Sequence, residues 1–195
     1  MNLEINPNSR IFIIEGIAGA GKNTLHQQLK EKLSNKLVYD YPEEAMLFSW
    51  KHGWIPGIDT MRLTFYEHFL DYCDQILSEN VNSVFIVDRF HISYLIFLKL
   101  TDTKSNNRFR IIIERLKKLS TFVFIPIIDD SLIEARSAHI ERVEPIWQIH
   151  LQKRLKQSGC TTLTEMYGAE QKKIISLAQA QDLPYSVVNV DIKKV

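Results

Sequence analysis

The chain has 195 residues, 45% of them hydrophobic and 24% charged, with a net charge of +1. That length and balance suit one globular α/β domain, expected over 1–195, and give no general attraction to nucleic acid or to a membrane surface. Cys73 and Cys160 stand far apart without metal-ligand spacing, the polar opening MNLEINPNSR has no apolar signal core, and no apolar run reaches bilayer length. Free thiols, a cytoplasmic setting and no membrane partner are therefore expected.

The first predicted element is a buried strand over Arg10–Glu15, with an isoleucine-rich, β-forming core. Gly16, Ile17, Ala18, Gly19, Ala20, Gly21 and Lys22 follow at once, then a helical pattern. Gly16-x-x-x-x-Gly21-Lys22, set between a strand and a helix, matches the phosphate-binding P-loop. Glycines let such a loop curl until several backbone N–H groups face one anion, and the helix N-terminus adds partial positive charge at the same spot. Lys22 adds a full charge that can reach the outer phosphates of a bound nucleotide. The Ser or Thr expected after the lysine, a Mg²⁺ ligand, is replaced by Asn23, with Thr24 behind it. An amide oxygen can also ligate Mg²⁺, so Asn23 is kept as the candidate metal ligand.

Leu25, Leu29 and Leu33 give Lys22–Ser34 one apolar helical face, and Leu37–Tyr41 is a second strand ended by Pro42. Glu43 and Glu44 then fall at the carboxyl end of that strand, the edge where open α/β sheets bind ligands. Each also suits the first turn of a helix, and two in succession cannot point the same way; Glu43 is the preferred catalytic carboxylate. Phe48, Trp50 and Trp54, interrupted by Gly53, Pro56 and Gly57, either line a pocket for a flat ring or pack under a loop. Asp59-Thr60 is expected to cap a helix over Met61–Glu79. Its apolar face is wide enough to be mostly core, with Phe65 or Tyr66 left to face a base.

Val81–Asp88 is a third strand, apolar enough to be covered on both faces. Asp88-Arg89-Phe90 closes it on the same ligand edge. Asp88 suits Mg²⁺ held through water or a substrate contact, and Arg89 suits phosphate; the alternative is a salt bridge capping the next helix. A buried helix over Phe90–Leu100, a polar loop over Thr101–Asn107 and an amphipathic helix over Arg108–Leu119 follow. Thr121–Ile128 is a fourth strand in which Pro126 marks an end or an edge, and Asp129-Asp130-Ser131 opens another helix. In Arg136–Arg142, the basic residues Arg136, His139 and Arg142 recur every third position among Glu134, Glu141 and Glu144. This reads as a lid over about 134–145 that closes arginines onto a transferring phosphate, or as a solvated helix with its own ion pairs. Helices over Ile146–Gln157 and Leu163–Gln181 and a strand over Tyr185–Asp191 complete the order β-α-β-α-α-β-α-α-β-α-lid-α-α-β. Strands separated by helices imply a three-layer α/β/α fold with a parallel five-stranded sheet and a helical lid.

Taken together, these segments resemble the P-loop nucleoside and nucleotide kinases of the thymidylate kinase and deoxynucleoside kinase group, over nearly the whole chain. Glu15 to Lys22 is similar to the EGxxGAGK start of thymidylate kinases. Asp88-Arg89-Phe90 looks like their DRY motif and the ERS motif of deoxynucleoside kinases. Pro42-Glu43 sits where the latter carry the Pro-Glu whose glutamate is the base for the sugar hydroxyl. Glu141–Glu144 resembles the end of the lid, and Val188–Asp191 the last strand. The resemblance implies ATP and Mg²⁺ as cofactors and a small-molecule acceptor, with a homodimer left open. The residues and the resemblance together give the expected roles: Gly16–Thr24 for ATP, Asn23 (a departure from the family's Ser or Thr) and Asp88 for the metal, Lys22, Glu43, Asp88, Arg89, Arg136 and Arg142 for catalysis, and Glu43, Trp50, Phe65, Tyr66 and Arg89 for the acceptor. One departure bears on the acceptor. Thymidylate kinases carry a phosphate-binding arginine on the helix before the third strand, and here no Arg or Lys lies between Thr64 and Asp88. Counting back without gaps, His68 falls near that place. A dianionic acceptor wants a fixed guanidinium, so the expectation is phosphorylation of a (deoxy)nucleoside-like hydroxyl. A nucleoside monophosphate kinase and a non-catalytic nucleotide-binding protein are the alternatives.

Overall fold

A computed structural model describes residues 4–49, 52–53, 55–97, 103–137 and 145–189. Its centre is β1 (Ile11–Ile14), buried at every position and flanked by β3 (Ser83–Asp88) and β4 (Thr121–Ile127). β2 (Leu37–Tyr41) lies outside β3, and β5 (Tyr185–Asn189) outside β4. The sheet runs β2-β3-β1-β4-β5 with every pairing parallel. Alternating side chains serve two cores, as the two-residue period of a strand requires. Phe12, Ile14, Val84, Ile86 and Phe124 meet Leu25 and Leu29 of α1 (Lys22–Lys32), and Leu33 just past its end, on one face. Ile11, Ile13, Phe85, Val87, Val123 and Ile125 meet the larger core on the other. That core is built by α2 (Ile58–Glu79), α4 (Thr103–Lys118) and α7 (Leu163–Ala180). Three further helices follow in chain order: α3 (His91–Phe97) after β3, then α5 (Ile133–Ser137) and α6 (Pro145–Ser158) after β4.

The expected α/β architecture and the five parallel strands are present. Four local expectations change. Between β2 and β3 the described residues hold a run of turns over Pro42–Phe48 and then one helix. That helix starts at Ile58, before the Asp59-Thr60 cap the sequence suggested, because Gly57 takes a left-handed conformation (φ 73°) and turns the chain into it. Asp59 is instead a first-turn residue, 3.5 Å from Arg62. Residues 103–107, read as loop, already belong to α4.

Pro126 neither ends β4 nor lies on an edge, since β5 pairs with it on the outside through Val188. The reason is local. The Phe124 carbonyl faces β1 and accepts from Glu15 N at 2.9 Å, so Pro126, two residues on, faces the same side, past the last paired residue of β1. Its missing N–H removes no rung of the ladder. The proline carbonyl and ring instead press on Gly16, where a Cβ would come 3.0 Å from that oxygen. Chain leaving β1 runs to β2 on one side of the sheet, and chain leaving β4 runs to β5 on the other. The crevice opened by that divergence, at the carboxyl ends, is where an open α/β sheet takes its ligand, and Gly16–Lys22 sits there.

Candidate active site

The loop is built from its buried side chains outward. Ile17 and Ala20 are fully buried, which anchors the loop in the core. Gly19 and Gly21 take φ of 84° and 87°, values that favour glycine and turn successive peptide groups to one side. Gly21 is also the N-cap residue of α1 and offers it no side-chain cap. The first N–H groups of that helix are thus left for an anion. Lys22, buried, opens α1 beneath them. The loop is closed from above by α5: a Cβ on Gly19 would stand 3.0 Å from Arg136 Cβ and 3.3 Å from its carbonyl carbon. Arg136, the last-turn basic residue of α5, is therefore seated directly on the phosphate loop.

Two strand ends meet beside it. Tyr41 of β2 lies opposite Val87 of β3, so Glu43 and Arg89 fall opposite each other two residues further on. Arg89 Nε donates to Glu43 Oε2 at 2.8 Å, and its η1 nitrogen donates to Ser93 Oγ at 3.2 Å. Arg89 has a left-handed backbone (φ 62°), unusual for a side chain of its size, and its N–H is tied to the Ile14 carbonyl at 2.9 Å. Burial works against the charge of Arg89, but Glu43, then Asp88, Glu170 and Glu15, outweigh it and hold the guanidinium above its usual pKa range. Glu15, at the end of β1, is fully buried. Its carboxylate accepts from the N–H groups of Phe90 (2.8 Å), Ile92 (3.0 Å) and Ser93 (3.2 Å) and from the Ser93 hydroxyl. It thereby fixes the turn from β3 into α3 that carries Arg89. Burial still raises the Glu15 pKa, against the Ser93 and Phe90 hydrogen bonds.

Asp88 completes the group. It is buried, and its Oδ1 has no hydrogen-bond partner. Burial raises its pKa, opposed by Lys22, Arg89 and His26 and reinforced by Glu43. A carboxylate oxygen kept dry and unpartnered beside a lysine fits a cation or its bound water better than a solvated surface. Lys22, Asn23, Glu43 and Asp88 all line one polar cleft of about 390 Å³ between α1 and the end of β2. Asn23 is exposed at its rim, while Thr24 is exposed without lining it. The donor set fits Mg²⁺: Asp88 and Asn23 would hold it, and the metal would neutralise charge on the transferring phosphate.

Neither a family model nor a curated protein matches the chain. Among solved structures, the YorR protein from Bacillus subtilis, in complex with phosphorylated GDP, is 15% identical. The match covers 92% of this chain and 85% of that one, with a TM-score of 0.50. Deoxyadenosine kinase from M. mycoides with bound dATP is 19% identical over 94% of this chain and 93% of that one, also at a TM-score of 0.50. Thymidylate kinase from Ehrlichia chaffeensis is 18% identical over 93% of each, at 0.49. The fold is that of the P-loop nucleoside and nucleotide kinases.

On this kinase fold the remaining sequence-predicted residues are placed as follows. Tyr66 is fully buried against Phe90 and Tyr94 (ring centroids 4.3 and 5.8 Å), and its hydroxyl has no hydrogen-bond partner. Burial, with Glu15 adding to it, raises the phenol well above its usual pKa. Phe65 is half-buried and stacks on Phe69. Both are core contacts in this structure. Trp50, Trp54, His139 and Arg142, with most of the lid, lie outside the described residues. His68 corrects the gapless count: it is 77% exposed on the outer side of α2 and pairs with Asp71 at 3.6 Å. Arg62 is buried and committed elsewhere, donating to the Leu47 carbonyl at 2.7 Å and lying 5.0 Å from the Phe48 ring.

Several contributors to the site were not singled out from the sequence. Glu15 left one signal, a charge closing an otherwise apolar buried strand. His26 and Asp40 are joined across α1 and β2, which no local pattern announces. Arg154 of α6 pairs with Glu170 of α7 at 2.5 Å and lies 4.6 Å from the ring of Phe97, which Arg89 also approaches at 5.9 Å. Phe48 comes within 5.6 Å of the same ring. Phe97, 37% exposed, thus meets side chains from the end of β3 and from α6, and the long sequence separations hide it.

Proposed function

We propose that the protein transfers the γ-phosphoryl group of ATP to the hydroxyl of a (deoxy)nucleoside-like small molecule. The observation that carries this reading is the convergence of Lys22, Glu43 and Asp88, from three different strand ends, on one polar cleft, with Arg89 holding Glu43 at 2.8 Å. A phosphate-binding module needs the loop and the lysine; it has no use for a carboxylate held 2.8 Å from an arginine beside them. In this reading Gly16–Lys22 bind the donor phosphates. Asn23 and Asp88 hold Mg²⁺, Glu43 takes the acceptor proton, and Arg89 with Arg136 and Arg142 stabilises charge on the group in flight. The fold shared with deoxyadenosine kinase, and with the YorR protein solved in complex with phosphorylated GDP, supports phosphotransfer in general.

The hydroxyl acceptor is preferred over a monophosphate because the described cations near α2 are already engaged. Arg62 serves the Leu47 carbonyl, Arg89 serves Glu43, and His68 points away. One observation bears on the second reading, a nucleoside monophosphate acceptor: Arg154 brings another guanidinium to Phe97, though it too is engaged, by Glu170 at 2.5 Å. Formation of ADP from Mg-ATP, measured against a panel of nucleosides and nucleoside monophosphates, tests both. Turnover with nucleosides alone is the expected result. Turnover with monophosphates alone selects the second reading, and binding of ATP without turnover on any acceptor overturns the phosphotransfer reading.

A further inference from the structure

The face of α1 that continues outward from Lys22 and Asn23 carries His26, Gln27 and Lys30, and it lines the same cleft as Glu43 and Asp88. His26 is well inside the cleft, with a side chain 14% exposed. Its Nε2 lies 2.5 Å from Asp40 Oδ1, near the end of β2, while Lys30 Nζ takes the other oxygen, Oδ2, at 2.6 Å. The Lys30–Asp40 pair alone would tie α1 to β2. A second, less exposed partner on the same carboxylate needs another reason. A carboxylate on one ring nitrogen fixes the tautomer and turns the other nitrogen, Nδ1, into an acceptor. That is the arrangement by which proteins orient a metal ion's surroundings. Two observations point to a cation as the object. Asp88 lines the cleft and has a buried, unpartnered Oδ1. Asn23 stands where a hydroxyl ligand would normally stand, at the exposed rim.

We propose that His26, oriented by Asp40, is a positioning residue for the divalent cation of the donor nucleotide, accepting a hydrogen bond at Nδ1 from water bound to that cation. The histidine supports from one helical turn further along α1 a metal that Asn23 holds less firmly than a Ser or Thr would. Waters polarised by a divalent cation are strong donors, so an acceptor nitrogen held in a fixed direction suits them. This inference rests on the donor-site reading above, and the experiment separates the two.

The test is ATP affinity by calorimetry in Mg²⁺ and in EDTA, for the full chain and for His26→Ala, His26→Gln, Asn23→Ser and the Asn23→Ser/His26→Ala pair. His26→Ala should remove about ten-fold of the tightening that Mg²⁺ confers while shifting metal-free ATP affinity by less than about two-fold. His26→Gln, which keeps an acceptor, should retain most of that tightening. In the Asn23→Ser background, where a hydroxyl ligand is restored, the loss on removing His26 should shrink. Equal losses with and without Mg²⁺ would mean a structural tie between α1 and β2, and no loss would mean no role; either overturns the inference and leaves the donor site standing. A parent protein that binds no ATP under either condition overturns the donor-site reading and this inference together.

Discussion

Glu43 and Arg89 hold one another at 2.8 Å although 46 residues separate them, because the parallel register of β2 on β3 places the two strand ends side by side. The pair gives the carboxylate a fixed direction and keeps the guanidinium charged in a buried position. Glu43→Gln keeps the shape and loses the proton acceptor. Turnover in that variant should fall about 10²–10⁴-fold, the usual contribution of a positioned base. ATP affinity, read by calorimetry, should stay near that of the parent, because the loop Gly16–Lys22 is untouched. A variant with undiminished kcat would end the assignment of Glu43 as the base.

Glu15 is the support behind that pair. Three backbone N–H groups and one hydroxyl at the start of α3 rely on its buried carboxylate. Glu15→Ala leaves those donors in a dry environment, which should cost about 3–5 kcal/mol of unfolding free energy in urea. Glu15→Gln retains one oxygen acceptor and relieves the cost of burying a charge, so its loss should be smaller, about 1–3 kcal/mol. If the alanine variant were as stable as the parent, the turn carrying Arg89 would have to be fixed by something else.

How much of this was visible in the sequence depends on whether the relationship is local. The phosphate loop was legible because its strand, glycines, lysine and helix are contiguous, and each obeys its own local rule. Glu43, Asp88 and Arg89 were legible as residues at strand ends, but their pairing was not, because it depends on which strands lie side by side and in what register. His68 shows the opposite failure. A gapless count put it near the acceptor phosphate, yet the helical phase of α2 turns it outward to Asp71. Gly57 outranked Asp59 as the start of α2 for a similar reason: a side-chain cap is one way to begin a helix, and a left-handed glycine before it is another. The Arg154–Glu170 pair left no sequence signal, since two helices bring it to Phe97 from far along the chain.

The contact between Gly19 and Arg136 gives a test of the loop itself. Gly19→Ala must place a Cβ 3.0 Å from Arg136 Cβ and also hold φ at 84°. The backbone conformation alone should cost about 1–2 kcal/mol in an L-residue. Gly159→Ala is the matched control, with φ 72° and nothing within 4 Å of the added Cβ. Both variants should show this backbone cost in urea, with Gly19→Ala losing more because of the Arg136 contact, but only Gly19→Ala should weaken ATP binding, by about ten-fold or more. Equal ATP affinity in the two would show that α5 does not need to seat on the loop for the nucleotide to bind.

His91, the first residue of α3, sets an acid limit on the fold. It is fully buried, and although the Gln181 amide lies beside the ring, neither ring nitrogen has a well-aligned hydrogen bond. Burial lowers its pKa from 6.5 to about 3, with Gln181 opposing the shift. The folded-state pKa lies below the unfolded one, so on acidification the unfolded chain takes up this proton first. The contribution of neutral His91 is fully present above pH 6.5 and is lost progressively as pH falls toward 3. Between pH 6.5 and pH 4 that loss should be on the order of 3 kcal/mol. His91→Leu removes the titrating group and keeps the site apolar. Urea unfolding at pH 7 and pH 4 should show the parent losing more stability than the variant by that amount, whatever the other acid-sensitive groups contribute to both. Parallel losses in the two proteins would mean that the buried imidazole finds a partner on protonation and does not limit the fold.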